Sequence, residues 1–320
     1  MSDPWQQNNA EADSKFEQAL VNQIAREFLT EQRRARRWSI AFKLFIAIYM
    51  MFFLVIYLID KTGISPGDLK DGKHTALVDI QGIISSSEQA RADYVTASLR
   101  AAYEDSNTAG IIIRINSPGG SPVQAGHVND EIKRLKNEHP DIPVYAVISD
   151  LCASGGYYIA VAADRIYADK ASLVGSIGVV MASFGFVDAI DKLGIERRLY
   201  HAGEHKAFLD PFSPEQDEEL EHIDQLLDGI YQQFVRIVRE GRGDRLVEDE
   251  KIFSGLVWTG EQSVDLGLVD ELGSAEYVAR EVIGAEEIVD FTYKDTLLEQ
   301  FSRAIEALFT NRSKQTHIFN

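Results

Sequence analysis

The chain has 320 residues, 45% of them hydrophobic, enough for one large domain or two small ones with a real core. Its net charge of −18 argues against a nucleic-acid partner. The single cysteine, Cys152, rules out an internal disulfide framework.

Residues 1–39 are polar and read as a cytoplasmic tail, with Val21 to Arg37 able to form a helix around Ile24 and Phe28. Ile40 to Ile59 is apolar except for Lys43, long enough to cross a bilayer as a helix. Lys43 lies near its first end, where it can snorkel. Arg33-Arg34-Ala35-Arg36-Arg37-Trp38 precedes it, whereas Lys61 beside Asp60 is the near cation on the other side. The positive-inside rule therefore puts the N-terminus in the cytoplasm and the remainder outside. A cleaved signal peptide fits poorly, because leader and apolar run are both long and no small-x-small site follows. Residues 60–74, with Gly, Pro, Asp and Lys, read as a linker.

From Thr75 strands and helices alternate. Ala76 to Ile80 predicts a strand, Glu88 to Asp105 a helix, and Gly110 to Ile115 a second strand. His127 to Lys136 predicts a helix, Pro143 to Ile148 a third strand, Tyr157 to Asp164 a helix, and Arg165 to Ala168 a fourth strand. This is the βαβ pattern of an α/β fold with a parallel sheet, whose ligands collect at the carboxyl ends of the strands. Ser213-Pro214-Glu215-Gln216 reads as a capping box, with proline at the first helical position. An acidic amphipathic helix should follow to about Arg239, with Leu220, Ile223, Leu227, Ile230, Phe234 and Ile237 at helical spacing. A last amphipathic stretch, Leu297 to Phe309, falls in a C-terminal helix and tail over 286–320, leaving 75–285 as the main domain.

Ser154 lies between a β-branched strand and a helix start, followed by Gly155-Gly156. Such a serine is exposed at a sharp turn beside free N–H groups, as a nucleophile must be; it also reads as a plain N-cap. A second Gly-rich turn, Asn116-Ser117-Pro118-Gly119-Gly120-Ser121-Pro122, follows the strand ending at Ile115. It reads either as a crossover turn or as half of an oxyanion hole, with one N–H from Gly120 and the other from Gly155. None of the seven histidines (His74, His127, His139, His201, His205, His222, His317) stands in the strand or helix next to Ser154. His201 and His205 are four apart, but Gly203 intervenes and no third ligand is evident, so no metal is expected. A lysine base would need desolvation to lose its charge at neutral pH. Local sequence does not single out Lys206 from Lys170 or Lys192.

Three stretches together resemble the signal peptide peptidase A family of membrane-anchored serine peptidases: Asn116 to Gly120, Ala153 to Tyr158, and Gly203-Glu204-His205-Lys206 with Asp210-Pro211-Phe212. Gly175-Ser176-Ile177-Gly178, Trp258-Thr259-Gly260 and Leu266 to Asp270 fit as well. The resemblance covers about residues 75–275. It implies a Clp protease/crotonase-like fold of repeated ββα-type units behind one transmembrane helix. It further implies Ser154 as nucleophile, Lys206 as general base, Ser176 as an accessory serine bonded to the lysine amine, and Gly120 and Gly155 as oxyanion donors. No cofactor is implied. Substrates would be signal peptides and other hydrophobic peptides, cut outside the plasma (inner) membrane of a bacterium, with residues 40–59 in lipid. The short single-domain form implies a homo-oligomeric ring whose neighbouring protomers share each site. The competing readings are a crotonase-like acyl-transfer enzyme, for which no CoA site is seen, and a non-catalytic membrane scaffold that binds peptides.

Overall fold

The computed structural model describes residues 32, 34, 36–55 and 72–294. It has two compact units, Met1–Lys70 and Asp71–Asn320. In the first, helix α1 (Arg36–Val55) is 20 residues long with mean hydropathy 2.1, and it is the one helix among the described residues long and apolar enough to cross a membrane. The expected end of that run, 56–59, most of the tail, the linker up to Asp71 and the 297–309 stretch lie outside the described residues.

The second unit is an eight-stranded sheet flanked by helices. Strands β1 (His74–Gln81), β2 (Thr108–Ser117) and β3 (Val144–Ala153) form its centre, all parallel. Ile111, Ile112, Ile113 and Ile115 of β2 are all buried, as a strand covered on both faces requires. The first half of β3 pairs with β4 (Arg165–Ala168), and its last three residues pair with β5 (Leu173–Gly175). Strand β6 (Val257–Thr259) runs antiparallel to β5, β7 (Glu271–Leu272) pairs parallel with β4, and β8 (Ile288–Asp290) lies parallel on the far side of β1.

Helices α2 (Ala92–Glu104) and α3 (Pro122–Glu138) follow β1 and β2. Helix α2 starts four residues later than its periodicity suggests, where the Gln124 side chain accepts from Ala92 N–H at 2.8 Å. Helix α3 starts five residues earlier, because Pro122 takes its first turn behind the Ser121 cap rather than belonging to the Gly-rich turn. The six-residue α4 (Gly155–Ala160) follows β3. After α5 (Val187–Lys192) comes α6 (Asp217–Arg242), about 39 Å long at 1.5 Å per residue. The capping box expected at Ser213 does not form: Gln216 is the N-cap without a side-chain bond, and Ser213 Oγ donates to Asp210 at 2.9 Å instead.

The main core lies between the sheet and α2, α3, α4 and the C-terminal half of α6, where Phe234, Val235 and Val238 are buried. A smaller core on the other face joins Leu77, Ile112, Val147 and Tyr167 to Ala275, Val278 and Ala279, which lie in α8 (Ala275–Tyr277) and the π-helical turn after it. Gly260 opens α7 (Gly260–Asp265), whose first turn is capped by the Thr259–Gln262 capping box.

Candidate active site

Strand β3 ends at Ala153, and the next residue leaves the strand in a conformation that L-residues rarely take. Ser154 has φ 51° and ψ −121°, and its hydroxyl makes no capping bond, so it is not the ordinary N-cap that its position suggests. Its N–H donates to the Gly175 carbonyl at 2.9 Å, and its carbonyl accepts from Tyr158 N–H at 3.0 Å. The side chain is left half-exposed at the carboxyl end of a central strand. Cys152, two residues earlier, is fully buried, and burial pushes its thiol upward.

The second Gly-rich turn lies directly against this serine. A Cβ on Gly119 would stand 2.7 Å from both Gly155 N and Ser154 Cβ, and one on Gly155 would stand 3.3 Å from Gly120 N. Gly120 itself has φ 147°, and a Cβ there would be 2.1 Å from the Ile84 carbonyl oxygen. The turn is pinned by Ile84 N–H donating to Gly119 O at 2.9 Å and by Ser121 N–H donating to Ile84 O at 2.8 Å. Ser117 Oγ accepts from Gly119 N–H at 3.1 Å and donates to Gly82 O at 2.6 Å. Among the described residues no backbone acceptor takes the N–H of Gly120 or Gly155. Two free donors thus flank Ser154, as stabilising an oxyanion requires.

Ser176 stands beside it. Ala153 and Gly175 are register partners of β3 and β5, so the residues that follow them share one end of the sheet. Ser176 also has a positive φ, 50°, and its N–H donates to Leu256 O at 2.7 Å.

Lys206 makes no hydrogen bond to Ser154 or Ser176 among the described residues. It is exposed, in a run of turns between α5 and α6, and its amine makes no hydrogen bond or ion pair among the described residues. The third non-glycine residue with positive φ, Leu209 at 59°, lies in the same turns. They are closed by Asp210, which accepts from Ser213 and forms an ion pair with Arg197 at 3.3 Å, and by the Phe186–Phe212 stack at 5.5 Å. A cavity of about 380 Å³ beside them is lined by Arg197, Leu199, His201, Leu209, Asp210 and Phe212. Another of about 340 Å³ takes in His205, Phe208, Glu218 and His222; neither contains Ser154. His201 Nδ1 meets Gly203 O at 2.9 Å, and His205 is 4.0 Å from Glu218, so the two histidines face different partners.

The surrounding segment carries much exposed apolar surface. Val180 is 87% exposed, Phe184 79%, Leu193 72% and Tyr200 88%. The first half of α6 is likewise largely exposed, while its second half packs into the core.

Sequence reasoning missed the supports beneath the turns. Asn129 Nδ2 donates to Tyr158 O at 2.7 Å, and Tyr157 Oη donates to Leu268 O at 2.8 Å. A buried asparagine on the inner face of α3 was the available signal for the first; the Leu266 to Asp270 motif held the second, without an indication of its partner.

The peptidase family S49 model matches residues 136–288. The chain is 31% identical to a putative protease of Synechocystis sp. over 64% of its own length and 71% of that protein. It is 31% identical to a putative signal peptide peptidase SppA of Enterococcus faecium over 60% of its length and 55% of that relative. It is also 45% identical to a Brucella abortus protein named as the Na(+)/H(+) antiporter NhaA, over 58% of its length and 25% of that protein. It thus spans a quarter of one of these relatives and about half of another. A solved ClpP1 variant from Listeria monocytogenes aligns with a TM-score of 0.40 at 20% identity, over 62% of this chain and 91% of that one. With its family match running through the Ser154 turn and the Lys206 segment, this chain belongs to peptidase family S49, the signal peptide peptidase A family.

Proposed function

We propose that this chain is a membrane-anchored serine endopeptidase with a Ser154–Lys206 dyad. The observation that carries the reading is the strained Ser154 set between two unused N–H donors, Gly120 and Gly155. The neutral Lys206 amine takes the Ser154 proton as Oγ attacks the peptide carbonyl carbon. The carbonyl oxygen gains the electron pair and is held by the Gly120 and Gly155 N–H groups. The tetrahedral intermediate collapses, and the lysine ammonium delivers its proton to the departing amine. Water, deprotonated by Lys206, then cleaves the acyl ester and regenerates Ser154. Ser176 Oγ accepts a hydrogen bond from the lysine amine and so leaves its lone pair free to face Ser154.

A lysine works as a base only where its charge is desolvated. Lys206 is exposed in its own chain, so the desolvation comes from a neighbour: protomers assemble in a ring, and the lysine of one enters the serine site of the next. The exposed apolar segment around Val180, Phe184, Leu193 and Tyr200 supports such a contact. Substrates are signal peptides and other hydrophobic peptides. Helix α1 holds the domain at a bacterial plasma membrane, and the arginines before it keep the N-terminus cytoplasmic.

The test is labelling of detergent-purified full chain with a fluorophosphonate, with hydrolysis of a hydrophobic peptide followed in parallel. The expected result is one adduct on Ser154 and loss of hydrolysis in both Ser154→Ala and Lys206→Ala with unchanged folding. An active Lys206→Ala chain would overturn the dyad, and an unlabelled Ser154 would favour a peptide-binding scaffold.

A further inference from the structure

A helix of six residues has little stability of its own, so the direction of α4 is set by what it leans on. Helix α4 leans on three things. Tyr157, fully buried, donates its hydroxyl to Leu268 O at 2.8 Å. Asn129 holds the Tyr158 carbonyl. Gly241 of α6 brings backbone onto backbone: a Cβ there would stand 2.3 Å from the Val161 carbonyl oxygen.

The acceptor of the Tyr157 bond is itself fixed. Arg242, whose side chain is 1% exposed, donates from Nε to Gly267 O at 2.7 Å and from both terminal nitrogens to Asp270, at 2.8 and 3.0 Å. Asp270 also accepts from Ile166 N–H of β4 at 2.7 Å and from Arg245 at 3.1 Å. Gly267 has φ 72° and no room for a side chain, with a Cβ 1.8 Å from Arg245 O. Successive carbonyls, Gly267 and Leu268, are therefore aimed at α6 and α4 respectively. Burial pushes the Tyr157 phenol upward, which keeps its proton available for donation.

We infer that Tyr157, braced through Leu268 by Arg242 and Asp270, is a positioning residue for the oxyanion donor at Gly155 and for Ser154. The inference rests on the reading of Ser154 as nucleophile. Tyr157 lies less than one helical turn from Gly155, so a rotation of α4 is delivered undiminished to that N–H. Oxyanion donors act only when placed at about 2.7–3.1 Å from the developing charge, and a displacement of about 1 Å costs on the order of a hundredfold in rate. Phenylalanine at 157 keeps the ring and removes the constraint.

The experiment compares full-length wild type with Tyr157→Phe, using a hydrophobic peptide substrate and a peptide aldehyde whose adduct places an oxyanion in the hole. Below the melting temperature of both proteins, kcat should fall about tenfold to a hundredfold with KM within about twofold, and aldehyde affinity should fall by a similar factor. Gly241→Ala, which pushes α6 off Val161, should show the same split and decides the matter if Tyr157→Phe does not fold. A lower melting temperature with wild-type kcat and aldehyde affinity would reduce Tyr157 to a structural role and overturn the inference. A wild-type chain whose Ser154 takes no phosphonate would overturn the underlying reading, and the inference with it.

Discussion

The amide of Ser154 donates to the carbonyl of Gly175, binding the turn after β3 to the turn after β5. Two serines in positive-φ conformations thereby stand at adjacent strand ends, each held by a single backbone bond to a neighbouring segment. Strain of this kind persists only where the surroundings overrule it, and typically costs about 1–3 kcal/mol per residue.

That strain is measurable. Ser154→Gly relieves the backbone, whereas Ser154→Ala keeps the Cβ and the strain. Both should lose peptide hydrolysis by at least about a thousandfold. Chemical denaturation should find the glycine variant more stable than the alanine variant by about 1 kcal/mol, after allowing for the greater freedom of unfolded glycine. Equal stabilities would mean that the turn is relaxed.

A dyad shared between protomers makes a distinct forecast. Ser154→Ala and Lys206→Ala chains should each be inactive alone. Co-assembled in equal amounts they should regain activity at about a quarter of the sites, since each site draws one residue from each of two chains in the ring. Peptide hydrolysis after joint refolding or co-expression reads this out. Continued inactivity of verified mixed oligomers would place serine and lysine in one chain.

How much of this was legible beforehand depended on length and branching. The runs around Val78, Ile112, Val147 and Ile166 are β-branched and buried on both faces, and they declared β1 to β4. Strands β5 to β8 are two or three residues long, too short for any periodicity to register, yet β5 is what sets Ser176 beside Ser154. Ser213 carried a capping signature that a stronger local partner, Asp210, took over. The paired glycines foretold a close approach of two turns, and the contact of Gly119 with Ser154 is that approach. Lys206 was anonymous among lysines, because what would make it a base is not in its neighbourhood along the chain.

The glycine turn is correspondingly intolerant. Gly120→Ala drives a methyl to 2.1 Å from Ile84 O, and Gly119→Ala drives one to 2.7 Å from Ser154 Cβ. Neither obstacle is the end of a flexible side chain. Either variant should lose about a hundredfold or more in kcat through displaced oxyanion donors, with phosphonate labelling of Ser154 slowed in step. Steady-state kinetics beside labelling rates check this.

Two carboxylates should contribute to acid stability. Arg134 and Arg100 bond Glu131; despite the opposing effect of its burial, its carboxyl is held down to about 2 from an ordinary 4.5. For Asp270 burial pushes upward, but the Arg242 bonds and charge and the Ile166 N–H outweigh it, leaving the carboxyl below its ordinary 3.8. Each contributes stability that is full above the unfolded value and is lost as pH falls through the folded one. The unfolding free energy should therefore decline from about pH 4.5 toward pH 2, and Glu131→Gln should flatten that slope. Asp270→Ala, which strands the buried Arg242, should cost about 3–5 kcal/mol at neutral pH by denaturant titration.

Cys152 gives the molecule a clock of its own. It is the sole thiol in the chain, sealed beneath the turn that presents Ser154 and held protonated by its burial. An alkylating reagent reaches it only when the end of β3 lifts away from its neighbours. The rate at which the unaltered protein consumes such a reagent therefore times the breathing of the strand that ends at Ser154, and a bound peptide that steadies the turn would slow it.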